Sequence, residues 1–400
     1  MKEKILKIEK GLSLSFKSLS DSIYEHPELG FQEYHASKAH MDLLKNHGFT
    51  IEPNIVNLET AFMATYDSKK PGPKICYMAE YDALPQIGHG CGHNMLGTSS
   101  TGAAIVLRYL LDEFGGQVIL LGTPAEETSG AKVTMARAGL FKQFDVALMA
   151  HPDTKYRLST PSLALQPLAF EFFGKTSHAA SAPFEGINAL DAMLITYTAI
   201  NALRQEILPS ARIHGVITHG GEAANIIPDY TRAEFYIRAE SKNYLQQLTK
   251  RVLNCAKAGA LASGCRLETS EYELPFDNMV SNESLNQVFY EAIQLFTDDE
   301  IITDQGAGVS LDAGNVSHEL PCIHGYFPIA DHDIPAHTLE FAQATQTPYA
   351  YQKLDEIICI LAYCGYKVAS DPNLLKAAKA EYDNQVKKGV IIPYQGGESI

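Results

Sequence analysis

Apolar and polar positions along the chain fall into two textures. From about Ser37 to Phe173, short continuous apolar runs alternate with helical stretches. HASKAHMDLLKNHG reads as a helix with Gly48 as its C-cap. PKICYMAEYDALP is an apolar strand running into a loop, and NMLGTSSTGAAIVLRYLLDEFGG is helical. QVILLGTPAEE and DVALMAHPD are buried strands on either side of a short helix, GAKVTMARAGLF. Such strands separated by helices predict an α/β fold, with a parallel-rich sheet sandwiched by helices. In these sheets the chemistry sits beyond the carboxyl ends of the strands. Asp82, Glu126, Glu127 and His151 each follow a strand directly.

From about Leu163 to Phe276 the texture changes. LALQPLAFEFFGKTSHAA alternates like a half-exposed strand, and GINALDAMLITYTAINALRQEI is a long helix. ARIHGVITHGG and TRAEFYIRAE follow as strands, NYLQQLTKRVLNCAKAGALASG as a helix and CRLETSEYEL as a last strand. This βαββαβ order predicts a ferredoxin-like α+β domain. The α/β pattern then resumes, so residues 1–166 and 277–400 are expected to form one discontinuous domain, with 167–276 inserted. The tail after Asp371 reads as polar and helical, ending in a weakly structured IIPYQGGESI.

Composition removes several classes of function. With 400 residues, 46% hydrophobic and 20% charged, the chain can bury a full core. That excludes disordered, collagen-like and coiled-coil readings. A net charge of −15 with no compensating basic cluster argues against nucleic acid and anionic membranes as partners. The N-terminal run MKEKILKIEKGLSLSFKSLSDSIYEHPELG has no uninterrupted apolar core or cleavage site and reads as an amphipathic helix rather than an export signal. No stretch approaches the 18 apolar residues of a membrane span. Seven scattered cysteines without an export signal predict reduced thiols in a cytoplasm.

Candidate chemistry lies at three strand ends. In HGCGHN, Cys91 and His93 are spaced so that a thiolate and an imidazole reach one metal together. Alone, the flanking glycines would mark no more than a tight turn. In TPAEET, adjacent Glu126 and Glu127 point in opposite directions, so one carboxylate can face a metal and the other a substrate. Alone, the pair reads as an acidic helix start. His151 follows the apolar run of DVALMA, where a single histidine is more often a core residue. Convergence on one sheet edge changes these readings. Potential ligands beside a spare carboxylate are what metal-assisted hydrolysis needs.

The collinear runs YDALPQIGHGCGHN, GTPAEE, MAHP, GKTSHAA with PFEGINALDA, HGVITHGG with NIIPD, and SLDAGNVS with IHGYF and PAHT resemble one family. It is that of the di-metal peptidases and amidohydrolases, which includes carboxypeptidase G, the aminoacylases, the aminobenzoyl-glutamate hydrolases and the auxin-conjugate hydrolases. Within it, the chain is most similar to the branch that holds β-alanyl-lysine dipeptidase and one of the polypeptides of aminobenzoyl-glutamate hydrolase. The resemblance spans roughly residues 20–380. It implies two divalent ions, Zn²⁺ or Mn²⁺, on Cys91, His93, Glu127, His151 and His337, with the Cys91 thiolate shared. It implies Glu126 as general base and Asp82 as the carboxylate that orients a ligand imidazole. His178 would stabilise the oxyanion, often across a dimer interface in the family. Asn225 and Arg238 would hold the substrate's free carboxylate, to which an arginine fork is suited. The inserted domain would act as a lid and pair two protomers into a homodimer.

The chain departs from the family at three places. Glu80-Tyr81-Asp82 replaces the His-x-Asp of many relatives, so no histidine ligand stands at position 80. Leu311 replaces a smaller or polar residue, and His318 has no counterpart; both lie near the expected specificity region. The reaction implied is hydrolysis of the amide bond in small N-acyl amino acids or dipeptides with a free carboxylate. The rival readings are a catalytically silent binding relative and a thiol enzyme with Cys91 as nucleophile.

Overall fold

A computed structural model of the chain describes residues 1–303 and 309–395; the last five residues of IIPYQGGESI therefore lie outside the described residues. In chain order the elements are α1 (Lys2–Glu25), α2 (Tyr34–Asn46), β1 (Thr50–Pro53), β2 (Phe62–Asp67), β3 (Lys74–Ala79), α3 (His93–Phe114), β4 (Gln117–Gly122), α4 (Ala131–Arg137), β5 (Val146–Asp153) and β6 (Tyr156–Arg157). Then come β7 (Ala164–Phe173), α5 (Ala189–Leu203), β8 (Arg212–His219), β9 (Tyr230–Ala239), α6 (Lys242–Ser263) and β10 (Arg266–Ser270). The chain continues with α7 (Glu283–Phe296), β11 (Ile301–Ile302), α8 (Ala313–Ser317), β12 (Cys322–Pro328), α9 (Leu339–Ala344), α10 (Pro348–Ser370) and α11 (Pro372–Lys387). Two compact units result. One spans Met1–Pro161 and resumes at Met279; the other is Ser162–Asn278 with the segment ending at Ser310.

The larger unit is built on an eight-stranded sheet ordered β1-β2-β4-β3-β5-β12-β6-β11. Its centre, β4-β3-β5-β12, is parallel throughout. Alternation along β3 feeds both faces. Ile75, Tyr77 and Ala79 enter a core with residues of α1, α3 and α10, while Cys76 and Met78 enter a second core with residues of α4 and α8. Burial on both faces is why these strands are unbroken apolar runs. At the flanks the pairing is mixed: β1 and β2 pair antiparallel with their neighbours, and β6 runs antiparallel to β12 but parallel to β11. Strands such as TIEP are short and largely exposed, so they carry no continuous apolar run to betray them.

Helix α10 lies close to the sheet because Gly365 has no side chain. A Cβ there would sit 2.1 Å from the Tyr77 hydroxyl and 2.6 Å from Leu107. The same hydroxyl donates to the Leu361 carbonyl at 2.9 Å, tying helix to strand.

The smaller unit has a four-stranded antiparallel sheet in the order β10-β7-β9-β8. With α5 and α6 inserted in βαββαβ order, this is the ferredoxin-like arrangement. Along β9, Thr231, Ala233, Phe235, Ile237 and Ala239 are buried while their alternates are half-buried. Asn188 caps α5 by accepting from the Leu190 and Asp191 N–H groups, and Ser241 caps α6 through Tyr244. Among the described residues no helix is long and apolar enough to cross a membrane.

Candidate metal centre

The carboxyl edge of the parallel strands gathers the reactive residues of the larger unit. Beyond β3 the chain passes Glu80 and Asp82, then loops through HGCG into α3, whose first residue is His93. That turn needs Gly92, at φ 73°, where a Cβ would also meet Pro152 at 2.9 Å. Beyond β4, Ala125 adopts φ 60° just before the Glu126–Glu127 pair, and its N–H donates to the Glu33 carboxylate at 2.8 Å. His151 stands near the end of β5. His337 arrives from far along the chain on a loop, where its N–H donates to the Gly90 carbonyl at 2.9 Å. It too has a left-handed backbone, φ 63°. Two left-handed non-glycine residues at one cluster are a pattern associated with functional sites.

Two donor triads share one sulfur. Cys91, His93 and His151 offer ligand atoms within 4.8 Å of one another, and so do Cys91, Glu127 and His337. A third group, His93 with Glu126 and Glu127, overlaps both. The imidazoles are oriented from behind. His93 Nδ1–H donates to the Asp82 carboxylate at 3.0 Å and to its carbonyl at 3.1 Å. His151 Nδ1–H donates to the Pro152 carbonyl at 2.7 Å. Both leave Nε2 with its lone pair toward the cluster, the arrangement a metal-ligating histidine requires. Asp82 also accepts the Glu127 N–H at 2.9 Å, so one carboxylate fixes two candidate ligands.

Buried His93 Nε2 and Glu127 Oε1 lie 4.0 Å apart and neither makes a hydrogen bond. Sulfur, nitrogen and carboxylate donors suit zinc and similar borderline dications. The residues present therefore fit a two-ion centre. Electrostatics agree. Burial, then the Glu127 charge, pushes the Cys91 thiol far above its ordinary range. Burial alone would lower the His93 pKa, but Asp82, Glu80 and Glu127 raise it well above its usual value. Burial and the charges of Glu80, Asp312 and Glu127 likewise raise Glu126. Such a concentration of negative charge favours a dication. It also works against the thiol-nucleophile reading, since an activated cysteine sits among cations rather than carboxylates.

Sequence reading missed three neighbours of this cluster. Lys132, fully buried at the start of α4, bonds Glu80 and Asp312, each at 2.7 Å. His324 on β12 stacks on His151 with ring centroids 5.7 Å apart; burial, then His151, pulls its pKa down to about 3. A lysine inside the apolar run AKVTMA was the available signal, but its partner Asp312 lies far along the sequence. His318, also singled out above, is buried away from this chemistry: its Nδ1 accepts the Ile392 N–H at 2.8 Å.

The remaining candidates belong to the smaller unit. His178 is exposed and bridges to Ile226 by backbone pairing; the Ala179 N–H donates to the Asn225 carbonyl at 3.0 Å. His178 and Asn225 are thus neighbours. The Ala180 and Ser181 N–H groups both donate to His178 Nδ1, at 3.2 Å each. That fixes the neutral tautomer with its proton on Nε2, a ready hydrogen-bond donor. Arg238, half-buried on β9, donates to Ser310 Oγ at 2.7 Å and approaches His214 at 3.4 Å.

Comparison with known proteins gives this geometry a context. The peptidase dimerisation domain of the M20 family matches residues 168–263. The Xaa-Arg dipeptidase of Mus musculus is 35% identical over 386 residues, covering 91% of this chain and 88% of that protein. A polypeptide of the p-aminobenzoyl-glutamate hydrolase of Escherichia coli is 32% identical, covering 70% of this chain and 62% of that protein. Among solved structures, an aminobenzoyl-glutamate utilization protein from Klebsiella pneumoniae superposes with a TM-score of 0.69 at 18% identity, covering 91% and 97% of the two chains. A dinuclear metal-binding M20 peptidase from Bacillus subtilis gives 0.66 at 19% identity, covering 88% and 98%. With 35% identity to a dipeptidase along nine-tenths of its length, the chain belongs to the M20 family of metal-dependent peptidases and amidohydrolases.

Proposed function

We propose that the chain hydrolyses the amide bond of dipeptides or small N-acyl amino acids with a free carboxylate, using two zinc or manganese ions. The observation that carries this reading is the sharing of Cys91 between two donor triads, with Glu126 beside them. Cys91, His93, Glu127, His151 and His337 would hold the ions. When bound, these polarise the scissile carbonyl and make water acidic enough to react at neutral pH. Glu126 takes the proton of the attacking water and passes it to the leaving amine. Asp82 keeps His93 and Glu127 in place. His178, donating through Nε2–H, would stabilise the oxyanion. Asn225 and Arg238 would receive the substrate's carboxylate. Residues 168–263, matching a dimerisation domain, support a homodimer formed through this unit. All seven cysteines are free thiols, which supports a cytoplasmic location.

A substrate panel tests the reading. Xaa-Arg and β-alanyl dipeptides, aminobenzoyl-glutamate and acetyl-amino acids would be offered with Mn²⁺ or Zn²⁺, each also as its carboxyl amide. At least one free acid should be cleaved about tenfold or more faster than its amide, the worth of a hydrogen bond to a charged group. Arg238→Ala should erase that preference. No turnover of any compound with either ion would instead favour the silent relative.

A further inference from the structure

Glu80 stands where the resembled family often has a histidine ligand and this chain has none, and its position within the cluster is specific. Its side chain is buried, and the two carboxylate oxygens have different surroundings. Oε1 accepts from the Lys132 ammonium at 2.7 Å. Lys132 is itself anchored by Asp312, through Nζ at 2.7 Å and through its backbone N–H at 3.3 Å. Oε2 lies 3.2 Å from His93 Nε2, and neither atom makes a hydrogen bond although both are buried. Because His93 gives its Nδ1–H to Asp82, Nε2 is the atom it presents to an ion.

Two orphaned donors this close suit one ion. Zinc binds imidazole nitrogen and carboxylate oxygen at about 2.0–2.2 Å, which places neighbouring donors roughly 2.9–3.5 Å apart for right-angled to tetrahedral geometry. The observed 3.2 Å falls inside that span. Unpaired buried polar atoms are otherwise costly, of the order of 1–3 kcal/mol each. The Lys132–Asp312 pair has the character of an outer partner: it bonds the oxygen that faces away from His93 and fixes the rotamer of the one that faces it. Lys132 supplies one positive charge against two carboxylates, so the trio remains anionic.

We propose that Glu80 is a further metal ligand of this chain, binding through Oε2 the same ion as His93, with Lys132 and Asp312 as positioning residues. The proposal rests on the two-ion reading above and deepens it. A purely structural Glu80 would serve only to neutralise Lys132, and the two roles predict different relative losses of the ion in two variants.

The test is ion affinity on the purified full chain, measured by chelator competition with Zn²⁺ and Mn²⁺ alone, together with the visible spectrum after cobalt loading. Glu80→Gln should weaken one bound ion by about tenfold or more and alter the cobalt bands. Lys132→Met should weaken that ion less than Glu80→Gln does, because the carboxylate keeps its charge and loses only the partner that fixes its rotamer. If Glu80→Gln does not fold, Glu80→Asp keeps the charge and the lysine partner while withdrawing the oxygens by roughly 1.5 Å; it should weaken the same ion. Affinity and spectrum unchanged in the folded Glu80 variant would overturn the assignment and leave the two-ion reading intact. Equal loss of the ion in the Glu80 and Lys132 variants would also overturn it, because the pair would then act as a structural unit. Wild-type chain that binds no divalent ion would overturn both.

Discussion

Asp82 holds two candidate ligands with one carboxylate, accepting from His93 Nδ1–H and from the Glu127 N–H. Both partners are donors, so an amide at this position must turn its NH₂ toward one of them. Asp82→Asn should therefore loosen the cluster without creating a cavity. Metal affinity should fall about 10–100-fold, the usual effect of removing an outer partner of a ligating histidine. Chelator competition with wild type as reference measures it; unchanged affinity would show that the His93 ring is held by other means. At this scale the sequence was informative only where residues cluster in the chain. Cys91, His93, Glu126 and Glu127 announce themselves by spacing. His337, 186 residues beyond His151, is visible only through family resemblance. The partnership of Lys132 and Asp312 was not visible: a lysine in an apolar run and an aspartate 180 residues on carry no mark of one another, and only folding buries them together.

Between elements, one packing contact carries its own titration. Glu9 on α1 is buried beside Asp355 on α10, whose carboxylate accepts from Ser13 at 2.9 and 3.0 Å. Burial, then the Asp355 charge, pushes the Glu9 carboxyl up to about 8 from an ordinary 4.5. The folded chain thus retains a proton that the unfolded chain releases. The stabilisation is fully present below about pH 4.5, declines as pH rises and is gone above about pH 8. Glu9→Gln supplies a neutral group of similar shape at every pH. Its Tm should rise relative to wild type as pH goes from about 5 to about 8.5, by circular dichroism. Parallel curves would mean that Glu9 ionises normally. The elements themselves were legible in proportion to their burial. The continuous apolar runs of β3, β4 and β5 and the alternation along β9 are direct consequences of two-faced and one-faced packing. The antiparallel flanks β1 and β2 lacked either signature, because part of their surface remains exposed.

Across the whole molecule, the activity depends on bringing an ion-binding edge and a proton acceptor together without letting either role fall to the wrong carboxylate. Glu126 and Glu127 are adjacent, similarly half-buried and chemically identical, so their assignment is the central claim. Glutamine preserves the length of glutamate but is a poor proton acceptor and a poorer ligand for a dication. The decisive measurement is bound metal and kcat on Glu126→Gln and Glu127→Gln, side by side with wild type. The account predicts that the Glu126 variant keeps its ions and its substrate affinity while kcat falls about 10²–10⁴-fold. It predicts that the Glu127 variant loses metal first. Loss of ions from the Glu126 variant, or near-normal turnover by it, would contradict the account.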